Sequence, residues 1–150
     1  MHILASLILL AAGLLQPSAP PPVERLPDGI RVRTAEGVVS LRLKSDSTIR
    51  VTFSKEPDFR ADDMVVIGPA DGRTPPFAWS AKPKEATLTT ARLRVSVSRA
   101  DGAVTFADAS GHVILAEAPG GHKLTPADVQ GEHTFHVQQL WMATDGESLY

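Results

Sequence analysis

Few residues in this 150-residue chain could carry chemistry, and their spacing decides how each is read. His133 and His136 stand at a separation that puts two imidazoles on one face of a helix, where a metal ion could join them. On a strand the same odd separation turns the rings to opposite faces. No third ligand is near in sequence, so no metal site is expected. Asp62-Asp63 offers a carboxylate pair for acid–base work, but adjacent strand residues also face opposite sides, and the two read as solvated loop acids. Gly120-Gly121-His122 has glycines for a turn and no helix to follow, which argues against a phosphate cradle. Ser96 and Ser98 lie on the outer side of an alternating run without a His-Asp context and read as surface hydroxyls.

The elements that must position these residues are strands. From Ala91 to Glu117 three alternating runs are separated by two turns. Leu93, Val95 and Val97 take one face, Asp101-Gly102 turns the chain, Val104 and Phe106 continue the apolar face, and Ser110-Gly111 turns it again into Val113 and Leu115. Upstream, Ile30–Thr34 and Val38–Lys44 flank Glu36-Gly37 as a hairpin, and Thr48–Ser54 follows with Ile49, Val51 and Phe53 aligned. Phe77–Ala81, Glu85–Thr90 and Thr134–Met142 are further strands. Between Lys55 and Pro76 the pattern is poor, with Met64–Ile67 a short candidate among Gly-Pro, Asp-Gly and Pro-Pro breakers. No segment after residue 19 sustains a long helical stripe. The expectation is an all-β, antiparallel β-sandwich with Leu41, Leu43, Val51, Phe53, Leu93, Val95, Val97, Val104, Phe106, Val113 and Leu115 inside.

Composition narrows the function classes. Fifteen basic and 17 acidic residues give a net charge of -2 with no basic stripe, which argues against a nucleic-acid partner. Cysteine is absent, so disulfides and thiolate zinc sites are excluded and stability must come from packing. Residues 1–19, MHILASLILLAAGLLQPSA, read as a secretory signal. The n-region holds only the α-amino group and His2, and Pro20 crowds the cleavage position, so an uncleaved membrane anchor stands as the alternative. Residues 20–29 read as an exposed linker that begins at Pro20–Pro22, and 30–150 as one domain. The expected location is secreted or periplasmic.

The ordered blocks GVVSLRLKSDSTIRVTF, EATLTTARLRVSVSRADGAVTFADASGHVILAE and EHTFHVQQLWMATDGESLY resemble a known family. They are similar to the N-terminal galactose mutarotase-like β-sandwich of glycoside hydrolase family 31, the retaining α-glucosidases and α-xylosidases. The likeness rests on a T-x-R-L-x-V strand (Thr90, Arg92, Leu93, Val95) and a following strand at Gly102, Val104 and Phe106. It continues with a D-x-x-G turn from Asp108 to Gly111, and with Glu147-Ser148-Leu149-Tyr150, which resembles the opening of the family's E-x-L-Y-G-x-G motif. Gln138-Gln139-Leu140-Trp141 resembles the α-xylosidase-like bacterial members more than the eukaryotic α-glucosidases.

The resemblance implies exo-hydrolysis of α-linked sugars with retention, through an aspartate nucleophile and a second aspartic acid as proton donor. In the family both lie on a later (β/α)₈ barrel, so no catalytic residue is expected in this chain and no cofactor is implied. The implied partners are the missing C-terminal barrel and the α-linked oligosaccharide substrate of the parent enzyme, with no nucleic acid and no membrane after signal cleavage. Trp141, Leu149 and Tyr150 are expected to pack against the barrel. Trp79, after Pro75-Pro76, is a weak candidate for a sugar-stacking surface, with burial in the core or between domains the plainer reading. The competing function is a free-standing carbohydrate-binding or adhesion module that uses Trp79 or Trp141 as its platform. The sequence ending inside a motif favours the first reading.

Overall fold

The computed structural model describes residues 22–55 and 72–143. Within them ten strands form two antiparallel sheets, and no helix is present among the described residues. The first sheet runs in order β1 (Val23–Leu26), β2 (Gly29–Arg33), β3 (Val38–Leu43) and β4 (Ile49–Ser54). The second holds β5 (Ala78–Ala81), β6 (Glu85–Thr89), β7 (Leu93–Ser98), β8 (Val104–Asp108), β9 (Val113–Val129) and β10 (Glu132–Met142), each beside its sequence neighbour. Every connection is a hairpin except the one from β4 to β5, which carries the chain from one sheet to the other.

Alternation sets the core. Ile30, Leu41 and Val51 lie abreast across β2–β4, as do Val32, Val39 and Phe53. Facing them, Leu88, Val95 and Phe106 form one row of the second sheet and Ala86, Val97 and Val104 another. Ile30, Val32, Leu41, Leu88, Val95 and Val97 are fully buried. A one-residue slip in any of these pairings would carry a whole apolar row into water, so burial fixes the register.

Three features differ from the sequence reading. The stretch read as linker contains β1, because Val23 and Leu26 are apolar ends of a short strand that Pro27-Asp28 turns back onto β2. Val113 and Leu115, expected inside, are exposed at 48% and 37%. The reason is geometric: among the described residues four strands face six, so the core closes over β6–β8 and β9 and β10 extend beyond the facing sheet. The third strand also continues far past Glu117, as 17 residues of β9 that pair with β10 through a two-residue turn at Gln130-Gly131. Both turn residues have positive φ, 53° and 86°, the backbone of a type I′ hairpin. β9 holds Pro119 and Pro126, residues that cannot donate to a ladder. They fit because β8 pairs only as far as Ala116, so beyond it β9 has a neighbour on one side and a missing N–H is harmless.

Candidate functional site

The overhang creates the most distinctive surface of the molecule. Between the edge of β4 and the inner face of the β8–β10 region lies an open groove of about 500 Å³, lined by Val51 and Phe53 on one wall and Phe106, Leu115, Val137 and Trp141 on the other. Among the described residues, nine of the ten exposed large apolar side chains sit on β9 and β10, the tenth being Trp79 on β5. On β10 they occupy both faces: Phe135, Val137 and Trp141 alternate with Leu140 and Met142. Strands apolar on both faces are normally covered on both.

Beneath the groove is a polar cluster that holds the ribbon's shape. Opposite Leu140 the partner strand inserts Ala118 to Gly121, so the register jumps from Gln139↔His122 to Trp141↔Glu117. This bulge needs glycine at its end. A Cβ on Gly121 would sit 2.6 Å from the Ala118 carbonyl oxygen and 2.8 Å from that of Leu140. Glu117, at the bulge's start, is 4% exposed and accepts three contacts: the Val104 N–H at 3.1 Å, Gln139 Nε2 at 3.3 Å and His122 Nδ1 at 3.1 Å. The His122 ring packs on Phe53 with centroids 4.2 Å apart, and its Nε2 is buried without a partner. That arrangement suits the Nδ1–H tautomer, which leaves a bare acceptor in the apolar groove rather than an orphaned N–H.

Asp101 clamps the same bulge from the other side, accepting the Gly120 N–H at 2.8 Å and the Ala103 N–H at 3.2 Å. Burial opposes its ionisation, but the Ser98 hydroxyl and these two N–H groups outweigh that, and its carboxyl is held below the ordinary aspartate value. A lowered folded-state value stabilises the fold above the unfolded carboxyl's value and is lost as pH falls through the folded one. The urea midpoint of Asp101→Asn should therefore lie below that of the parent at pH 7 and converge with it on acidification below about pH 4. Parallel midpoints across that range would show that the clamp contributes nothing. Chemically, Glu117 is sealed from solvent and Asp101 is held as an anion by N–H donors, so neither is placed as a proton donor to a bound molecule.

The structure disperses the residues singled out from the sequence. Trp79 lies on β5 opposite Leu88, 40% exposed, at one edge of the six-stranded sheet, while Trp141 lies at the other edge, so they share no platform. His133 and His136 occupy positions of opposite facing on β10, and His133 pairs with Asp128 across the hairpin. Ser96 and Ser98 are on the outer side of β7, half-buried rather than fully exposed. Asp62, Asp63, Leu149 and Tyr150 lie outside the described residues. The Glu117–His122–Gln139 cluster was missed. Its only local sign was Gly120-Gly121 within a strand-forming stretch, and a glycine inside a strand is compatible with a bulge as well as with a turn.

No protein-family model matches the chain. Among solved structures the chain is similar to the GH31 α-xylosidase from Xanthomonas citri, with 30% sequence identity and a TM-score of 0.73. The match covers 82% of this chain and 14% of that one, so the chain spans about one-seventh of the neighbour's length.

Proposed function

We propose that this chain is the N-terminal, non-catalytic β-sandwich of an exported retaining α-glycosidase of glycoside hydrolase family 31, of the α-xylosidase or α-glucosidase type. The observation that carries the reading is the match to the Xanthomonas citri enzyme, where 30% identity accompanies the same fold over 82% of this chain. The apolar groove and the two-sided β10 support a bracing role, since a face of this composition is suited to packing against further protein. In the proposed enzyme the barrel supplies nucleophile and acid, and this sandwich positions it and shapes the rim of its pocket, with Trp141 at the contact. The apolar segment at residues 1–19 supports export to the periplasm or medium.

The test compares two proteins. The longer polypeptide encoded at this locus should hydrolyse an aryl α-xyloside or α-glucoside with retention of configuration. The 150-residue chain alone should show no turnover above the uncatalysed rate. Turnover by the short chain that survives repurification and is lost in Asp101→Asn would place catalytic groups here and defeat the proposal.

A further inference from the structure

The outer face of the six-stranded sheet, turned away from both the core and the groove, carries a feature the bracing role does not use. Ser80, Thr87, Ser96 and Thr105 stand directly abreast on β5, β6, β7 and β8. With strands about 4.8 Å apart, the row is a line of four hydroxyls about 14 Å long. Among the described residues none of the four is hydrogen-bonded to another group. Thr87 is only 5% exposed, yet its hydroxyl is neither sealed nor paired and faces a hollow of about 370 Å³ that it lines with Ser80 and Arg94. The Arg94 guanidinium is likewise without a partner among the described residues. Beyond the row a second hollow, of about 720 Å³, is lined by Ser96, Thr105, Asp101 and Lys84.

We propose that this trough is a secondary binding surface for a neutral α-linked oligosaccharide, holding substrate chain away from the catalytic centre; the choice of sugar rests on the glycosidase reading above. Each hydroxyl in the row both donates and accepts, as does each hydroxyl of a sugar, and a planar guanidinium can donate to two neighbouring sugar oxygens at once. The rigid sheet fixes their spacing before the ligand arrives, which reduces the ordering cost of binding. Charge selects against ions. In the larger hollow Lys82 and Lys84 stand with Glu85, Asp101 and Glu117, the last already engaged by Val104, His122 and Gln139, and in the smaller Arg94 stands with Asp108, so neither lining offers a strong excess of one sign. An apolar protein segment would leave the hydroxyls unpaired and lose their hydration. No aromatic side chain lines either hollow, so the binding is by hydrogen bonds and weak, with a Kd of about 1 mM or above.

Saturation-transfer-difference NMR on the 150-residue chain tests this, because it reads the ligand and tolerates self-association of the protein. Maltotriose and an α-1,6-xylosyl-glucose disaccharide are the probes, with glycerol as control. Saturation transfer to at least one sugar is expected. It should fall about tenfold in Thr87→Val/Ser96→Val and in Arg94→Ala, which keep the parent's thermal midpoint, and stay unchanged in Trp141→Ala. No transfer at tens of millimolar sugar, equal transfer to glycerol, or loss in Trp141→Ala instead would overturn the proposal. Hydrolysis by the longer polypeptide is scored separately. A working α-glycosidase whose sandwich binds no sugar defeats the trough alone, whereas binding without hydrolysis defeats the glycosidase reading alone.

Discussion

Leu41→Ala is expected to destabilise the sandwich by about 2–5 kcal/mol, a large share of the roughly 5–15 kcal/mol that holds a domain of this size together. Leu41 is completely buried in the centre of β3, paired with Ile30 on one side and Val51 on the other, beneath the facing sheet. Truncation removes its apolar contacts and leaves a void that two tightly paired neighbours cannot collapse into. Leu41→Met keeps the volume and should cost less than about 1.5 kcal/mol. Urea denaturation of both variants checks the pair of values. A loss under about 1 kcal/mol for the alanine variant would mean that the four-stranded sheet is not packed as a core.

The second large effect concerns association. Val137 is 72% exposed and Leu140 51%, on opposite faces of β10, and their neighbours Phe135, Trp141 and Met142 extend both patches. β10 is also the edge of its sheet, with its outer row of backbone groups unpaired by any strand among the described residues. Its central residues carry no lysine and no proline, the usual protections of an exposed edge. The 150-residue chain should therefore self-associate as its concentration rises. Burying one such side chain contributes about 1.5–3 kcal/mol, or roughly tenfold or more in the association constant. Val137→Lys/Leu140→Lys should accordingly shift the sedimentation-velocity profile to the monomer while leaving the thermal midpoint nearly unchanged, since neither side chain is buried. A parent chain that stays monomeric throughout and binds no hydrophobic dye would contradict this account of the ribbon.

The two effects come from opposite ends of the same sheet arrangement, and they mark how far the sequence could be read. Period-two alternation through Val39, Leu41 and Leu43, and through Leu93, Val95 and Val97, was enough to identify strands, their faces and an all-β class, because that alternation directly reflects which face is buried. The turns at Glu36-Gly37, Asp101-Gly102 and Ser110-Gly111 were legible for a similarly local reason: their conformations demand particular residues. What strand reading could not supply was the number of strands on each side. Val113 and Leu115 share one strand face as Val95 and Val97 do, with Ile114 apolar between them, yet lie outside the closed core because among the described residues four strands face six.

The same limit applies to the polar residues. Nothing local in the sequence distinguishes Glu117 from other strand acids, and its burial depends on a Val104 N–H, a Gln139 amide and a His122 ring that reach it from three strands. Nor does spacing along the chain bring Ser80, Thr87, Ser96 and Thr105 into line, since each belongs to a different strand and only the pairing register sets them abreast. The chain by itself determined the alternating strands, the turns between them and which face of those strands is apolar, because those are properties of neighbouring residues. Tertiary structure alone decided which apolar face is covered and which polar groups meet, because both depend on how many strands each sheet contains and on the register between them.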